Sequence, residues 1–166
     1  MPTVIKPENF EFKTDNSAME DFAIKTLTPR LGAVAKSKNF VFDIRQLDPG
    51  KFSFPYHFHR NAEELIMVIS GAMTLRSVDG FQVLKEGELV FFEIGETSAH
   101  QFYNHSDSPC TYLDLRTTGG IDVTEYPDSG KVNILPNFEV YEKSTRVEYN
   151  KGEENVKEIW DRLRKK

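Results

Sequence analysis

Between Asn39 and Thr117 apolar and polar positions alternate with a period of two, and turn residues break the alternation at short intervals. Phe40, Phe42 and Ile44 alternate with more polar neighbours in Asn39–Leu47, which meets the turn Asp48-Pro49-Gly50 and is followed by a second extended run, Phe52–His59. Glu64–Ile69 runs into Ser70-Gly71, and Ala72–Val78 and Phe81–Leu84 flank Asp79-Gly80, a pair suited to a two-residue hairpin. Glu86-Gly87 turns the chain into Leu89–Ile94, which stops at Gly95. His100–Asn104 and Thr111–Thr117 are separated by Ser106-Asp107-Ser108-Pro109. Short strands with a turn signal roughly every 8 to 12 residues predict an all-β sandwich or barrel.

The flanks read differently. Residues 1–38 carry mixed signals, with a short helix expected over Ser17–Thr26 and a loop over Pro29–Gly32, and are expected to pack on the barrel as an N-terminal extension. Residues 39–118 are the barrel core and 119–149 an extended segment after it. In 150–166, Val156, Ile159, Trp160 and Leu163 recur at the spacing of an amphipathic helix. Glu153 and Glu154 in its first turn and Arg162, Arg164, Lys165 and Lys166 in its last complement the helix dipole, so a helix is predicted over Gly152–Arg164, packing Trp160 on the barrel or on a partner.

At 166 residues the chain suits one domain. Its formal charge of −5 disfavours nucleic acid and anionic membrane surfaces as partners, since both need clustered positive charge. The longest unbroken apolar run, Leu65–Ile69, is far too short to span a bilayer, and Met1–Phe12 lacks the basic and apolar blocks of a secretory signal. A lone cysteine, Cys110, allows no intrachain disulfide, which makes the cytoplasm the expected location. Thirteen phenylalanines favour strands as the bulk of the core.

Three of the four histidines fall in a pattern that metal chemistry would favour. His57 and His59 at i and i+2 project from one face of a strand. Glu64 follows after a turn's length, with Glu63 as a rival on the opposite face, and His100 opens a later strand. Three imidazoles and a carboxylate suit a divalent transition metal, with iron, manganese or nickel expected first and zinc or copper next, whereas magnesium and calcium would want more oxygens. His105 sits in a polar loop and is expected to be exposed.

These residues resemble the two motifs of the cupin superfamily. Gly50, His57-Phe58-His59, Glu64 and Gly71 follow the first, with six residues instead of five between Gly50 and His57. Gly87, Gly95, His100 and Asn104 follow the second, with Glu93 where a proline is expected and four residues instead of two between Gly95 and His100. The spacing from Glu64 to Gly71 selects Glu64 over Glu63. The resemblance covers about Asn39 to Thr118 and implies that His57, His59, Glu64 and His100 hold one metal inside a cupin jelly-roll barrel. Tyr126-Pro127-Asp128 further resembles the segment that follows the barrel in small single-domain bacterial cupins. The resemblance also implies pairing of barrels through their sheets, and Val4-Ile5 and Val132–Leu135 could extend a neighbour's sheet, so a homodimer is expected.

Alternation from His100 places Phe102 and Asn104 on the ligand side as pocket residues. On Thr111–Thr117 the apolar set Thr111, Leu113 and Leu115 is expected to face inward, leaving Tyr112, Asp114 and Arg116 outside. With neither a phosphate loop nor a basic cluster near the motifs, sugar nucleotides are disfavoured. The resulting expectation is a metal-dependent oxidoreductase of dioxygenase or decarboxylase type, acting on a small organic acid or an enolic or phenolic compound. Glu64 would be either a metal ligand or a general base. Two alternatives stand beside it: a non-catalytic cupin that binds or senses a small molecule, and a sugar isomerase or epimerase, for which an extra base and phosphate-binding cations are not evident in the sequence.

Overall fold

The computed structural model describes residues 2–14 and 19–165. Its strands are β1 (Glu11–Thr14), β2 (Ile24–Thr28), β3 (Phe40–Leu47), β4 (Phe58–His59), β5 (Glu64–Ser70), β6 (Ala72–Ser77), β7 (Gly80–Lys85), β8 (Leu89–Phe92), β9 (Gln101–Tyr103), β10 (Cys110–Thr117), β11 (Asp122–Tyr126), β12 (Lys131–Leu135) and β13 (Glu139–Glu142). A single helical turn, α1 (Leu31–Val34), follows β2, and α2 (Val156–Arg164) closes the chain. A six-stranded sheet runs β1-β2-β3-β10-β5-β8, a four-stranded one β13-β12-β11-β4 and a three-stranded one β7-β6-β9, with every pairing antiparallel. The alternation predicts an all-β sandwich or barrel, and the architecture is the jelly-roll barrel that the resemblance implies.

The six- and three-stranded sheets pack face to face. Leu47, Ile66, Val68 and Cys110 from the first meet Met73, Leu75, Leu84 and Phe102 from the second, in one buried cluster. Burying a side chain of this size contributes roughly 1.5–3 kcal/mol, so this cluster is the main source of the barrel's stability. Gly71 turns β5 into β6 at φ +81°, and a Cβ there would lie 2.7 Å from the Pro109 carbonyl oxygen. No other residue fits that turn without moving the loop that leads into β10.

Several expectations change. The helix expected over Ser17–Thr26 is replaced by a 3-10 turn at Glu20–Phe22 and by β2, while Ser17 and Ala18 lie outside the described residues. Ile24, Thr26 and Leu27 are buried because β2 pairs with β3, so tertiary pairing overrides a weak local pattern. Phe52–His59 is not one strand: only Phe58–His59 forms a ladder, preceded by single bridges from Phe52 to Tyr103 and from His57 to His100. The segment 119–149 contributes β11, β12 and β13, so Val132–Leu135 extends the barrel's own sheet. The C-terminal helix is shorter than expected, and its stripe of Val156, Ile159, Trp160 and Leu163 is exposed instead of packed on the barrel.

On β10 the expected orientation is inverted. Tyr112 and Asp114 are buried and Arg116 shares their side, while Leu113 and Leu115 lie half-buried on the outside. Register explains it, because Glu64 pairs with Arg116, Ile66 with Asp114 and Val68 with Tyr112. A β5 that turns Glu64 inward therefore carries the polar side of β10 inward too.

Gly71→Ala should destabilise the fold by about 2 kcal/mol through backbone strain, a loss of roughly 4–8 °C in Tm. Gly120→Ala, where an added Cβ meets nothing within 4 Å, should lower Tm less. Thermal denaturation of the two variants side by side checks the ranking.

Candidate metal centre

The His57–His100 bridge sets the geometry of the site. Each backbone N–H donates to the other residue's carbonyl, at 3.1 and 2.8 Å, which holds the two imidazoles side by side with ring centroids 4.7 Å apart. His59, two residues on, presents its ring 5.2 Å from that of His57. Glu64 opens β5 on the facing sheet. All four side chains are buried.

Each histidine is oriented through its outer nitrogen. Nδ1 of His57 donates to the Pro55 carbonyl at 2.8 Å and Nδ1 of His100 to the Ser98 carbonyl at 2.9 Å, while Nδ1 of His59 meets Oδ2 of Asp122 at 2.5 Å. A carbonyl can only accept, so the proton sits on Nδ1 and the Nε2 lone pair is left free. Nε2 of His100 lies 3.2 Å and Nε2 of His59 3.7 Å from Oε2 of Glu64. Ligand atoms of His57, His59 and Glu64 all lie within 4.8 Å of one another.

The electrostatics are those of a site built for a cation. Burial drives the His57 pKa down to about 3, with His100 and His59 adding to the effect, so this imidazole is neutral. Burial would raise the Glu64 pKa, and what holds the carboxyl below its usual range is positive charge at the surrounding imidazoles, His100 foremost, a place that a bound cation would fill when the rings are neutral. Glu64 Oε2 is buried and has no hydrogen-bond partner. Three free lone pairs and an ionised carboxylate, with no donor among them, repel one another in a dry site unless a positive ion lies between them. Three imidazoles and one carboxylate match the preferences of a first-row transition metal.

A second layer steadies the first. Asp122 also accepts from the Asn61 backbone N–H at 3.0 Å, and Arg116 Nη1 lies 3.5 Å from the same carboxylate. Burial tends to raise the Asp122 pKa, but the His59 contact and the Asn61 bond keep it low. Thr124 Oγ1 stands 3.3 Å from His59 Nδ1. Phe92 stacks on His100 with ring centroids 3.7 Å apart, at 16°. Beside the histidines lies a cavity of about 10 Å³, lined by His57, Glu64, His100, Phe102, Tyr112 and Asp114 among others. That is room for one water-sized group. Asp114 ion-pairs with Arg45 and lines the same cavity as Glu64. Burial and the adjacent Glu64 push the Asp114 carboxyl up against the pull of Arg45, so its pKa and that of Glu64 move apart.

Of the residues expected here, His57, His59, Glu64 and His100 converge and Phe102 lines the cavity. Asn104 does not reach it. Its Nδ2 donates to the carbonyls of Leu47 and Ser108 at 2.7 and 2.9 Å and its Oδ1 accepts from Ser106, so the whole side chain is committed to tying the 104–108 loop to the end of β3. His105 is exposed and bonded to Thr74. The long spacing before His100 forms a 3-10 turn at Glu96–Ser98, which supplies the very carbonyl that orients His100. Asp114, Arg45 and Asp122 were missed. Their signal was alternation on strands whose inward side had been misjudged, or had been read as a loose segment.

A family model described as a cupin domain matches residues 44–116. No curated protein matches the chain. Among solved structures, it is similar to a sugar phosphate isomerase from a cupin superfamily of Silicibacter pomeroyi DSS-3, with 23% identity, TM-score 0.76, 89% of this chain and 98% of that one covered. A protein of Acidithiobacillus ferrooxidans assigned as a sugar phosphate isomerase gives 23% identity, TM-score 0.74, and coverage of 87% and 96%. A Thermotoga maritima protein described as a predicted oxalate decarboxylase gives 18% identity, TM-score 0.58, and coverage of 69% and 98%. At these identities the likeness establishes the shared fold.

Because Asp122 fixes the His59 ring, Asp122→Ala should weaken metal binding about 10- to 100-fold. His105→Ala should leave it unchanged. Competitive titration of both variants against a chromophoric chelator measures the difference, and equal affinities would overturn the assigned role of Asp122.

Proposed function

We propose, on the premise that residues 44–116 of this chain are a cupin domain, that His57, His59, Glu64 and His100 hold one divalent transition metal and that the protein acts on a small molecule carrying adjacent oxygens. The observation that carries this reading is the buried, unpartnered Glu64 Oε2 facing imidazole nitrogens whose protons are all engaged elsewhere. When bound, such an ion polarises a coordinated oxygen and acidifies the neighbouring C–H.

What the chain adds favours proton transfer. Glu64 and Asp114 form an inward pair of carboxyl groups at the cavity, with Arg45 fixing the outer one. Two acids lining one cavity, with environments that push their affinities for a proton apart, can take a proton at one carbon of a substrate and return it at the next. Phe92 and Phe102, both buried, pack against the His100 ring beside this pair. Isomerisation of a hydroxycarbonyl compound is therefore the reaction class we favour, in keeping with the name of the Silicibacter pomeroyi neighbour. The extra base that seemed absent from the sequence is Asp114. Decarboxylase or dioxygenase chemistry is the second reading, supported by the aromatic wall of Phe54, Phe92 and Phe102 around the histidines.

We also propose a homodimer built on the outer face of the six-stranded sheet. Leu113 pairs with Met67 and Ile44, and Leu115 with Leu65 and Phe42, giving an uncharged apolar block on a chain of net charge −5. Two such chains repel elsewhere and can meet here, each presenting the same patch to the other. Among the described residues no helix is long and apolar enough to cross a membrane. Cys110 is free and buried, its pKa pushed up to about 11 by burial, which fits a cytoplasmic thiol with no bonding role.

Protein purified without chelators should contain close to one equivalent of metal by elemental analysis, and a His57→Ala, His59→Ala double variant should contain none. Metal-loaded protein in deuterium oxide should exchange the carbon-bound hydrogen of small hydroxycarbonyl compounds, followed by NMR, without consuming oxygen. Oxygen uptake instead would establish the oxidative reading, and neither signal across a broad panel would leave a binding module. Static light scattering should give a dimer at micromolar concentration, reduced to a monomer by Leu113→Glu. A monomeric wild type would sink the dimer.

A further inference from the structure

The cavity beside the histidines has nine lining residues, of which eight are buried and Phe54 alone is exposed, at 38%. With room for one water-sized group, it admits nothing larger unless part of that lining moves. The backbone around Phe54 is pinned. Ser53 N–H donates to the Phe102 carbonyl at 2.8 Å, Phe102 N–H donates to Ser53 Oγ at 3.0 Å, and Gln101 Nε2 donates to the Phe54 carbonyl at 2.9 Å. Among the described residues, the Phe54 ring meets the His57 ring edge-on, with centroids 6.0 Å apart, and the Arg45 guanidinium, which lies over its face at 5.1 Å. Contacts of these two kinds are weak, so the ring can swing aside by rotation about χ1 and open the cavity from the solvent side.

Under the ring lies a cation that is only partly used. Arg45 is buried, at 6% exposure, and among the described residues its hydrogen bonding is confined to Nε, which pairs with Asp114 Oδ2. Its two Nη groups have no acceptor there. Asp43, the other carboxylate on this side of β3, accepts from the Leu31 backbone N–H at 3.3 Å and forms no ion pair with Arg45. A buried guanidinium ordinarily has its donors satisfied, and the face of a phenyl ring is a weaker partner than an anion. The unused end of Arg45 is the planar fork that binds a carboxylate or a phosphate through two oxygens.

We propose that Phe54 is the gate of the metal centre and that Arg45, uncovered when the ring swings out, binds the anionic arm of the substrate through its two Nη groups. The proposal rests on the metal reading above and narrows its substrate class to hydroxycarbonyl compounds that carry a carboxylate or a phosphate. Arg45 keeps its Nε bond to Asp114, so the group that takes the anion also holds the carboxyl that moves the proton. A neutral ligand displaces the ring from Arg45 without replacing that contact and is disfavoured.

The test uses dihydroxyacetone, hydroxypyruvate and dihydroxyacetone phosphate, hydroxyketones whose third carbon carries a neutral group, a carboxylate and a phosphate. Calorimetric titration of metal-loaded wild type should show one of the anions binding about ten-fold tighter than dihydroxyacetone, and which one tells carboxylate from phosphate. Arg45→Lys keeps the charge and loses the fork, and should shrink that preference to about three-fold or less with metal content unchanged. In zinc-loaded wild type, which needs no substitution, the Nε–H NMR signal of Arg45 should move on adding the anion and stay in place with dihydroxyacetone. Phe54→Ala leaves the buried ion pair alone and tests the gate. Rotamer flips are fast, so only the open fraction limits entry, and in cobalt-loaded protein followed by its visible spectrum the anion should associate about ten-fold faster with Phe54→Ala than with wild type. Equal affinities for the three ligands, a preference undiminished in Arg45→Lys, or an Arg45 signal that ignores the anion would overturn the role of Arg45. Association no faster in Phe54→Ala would overturn the gate, in either case leaving the metal centre standing. A wild type that holds no metal after loading would overturn the centre first and the proposal with it.

Discussion

Three imidazole lone pairs and a carboxylate drawn together in a dry cavity repel one another, and much of this barrel is arranged to hold them in that unfavourable proximity. The His57–His100 bridge fixes two of the rings through the backbone, where a side-chain rotation cannot relieve the repulsion. The carbonyls of Pro55 and Ser98 and the carboxylate of Asp122 take the outer protons, so no imidazole can turn a donor inward without giving up a hydrogen bond. Preorganisation of this kind means that the energy of bringing the four groups together is already spent when the chain folds, which is what a metal centre requires of its scaffold.

What could be read in the sequence followed how local each constraint is. His57 and His59 were legible because period-two alternation acts within one strand, and Glu64 because a short turn separates it from them. Asp79-Gly80 predicted a hairpin for the same reason, and Ser77 does pair with Gly80 across it. Asp122 was invisible, because it joins His59 across 63 positions of chain and its strand lies in what read as a loose segment. Only pairing of β11 with β4 brings the two together. Periodicity also named an apolar stripe on α2 correctly as a stripe, but it carries no information about what covers it, and here the stripe faces outward.

The error on β10 is of another kind. Apolar residues were assigned to the interior, yet this barrel places a charged site inside and an apolar sheet surface outside. Leu113 and Leu115 are therefore the more hydrophobic side and the more exposed one, while Asp114 is buried against Arg45. Hydrophobicity decides which side faces in only when the alternative face meets water alone. Near a buried polar centre the register with the ligand-bearing strand decides, and Glu64 on β5 carried β10 with it.

That register also divides the barrel along its length. Moving away from the histidines, the inward positions change from Asp43 and Arg45 to Leu47 on β3, from Glu64 to Ile66 and Val68 on β5, and from Arg116 and Asp114 to Tyr112 and Cys110 on β10. The three strands are hydrogen-bonded side by side, and the change is staggered by one inward position between them, with Ile66 opposite Asp114 and Tyr112 opposite Arg45 before Leu47 meets Cys110. One end is thus a packed apolar plug and the other a charged cup. The plug does more than offset the unfavourable cup. Each ligand-bearing strand is anchored by residues two and four positions beyond its charged ones, so packing in the plug limits how far Glu64 or Asp114 can move, and a close-packed interior yields little. A centre whose ligands repel one another keeps its geometry because the strands that carry them are clamped at the far end.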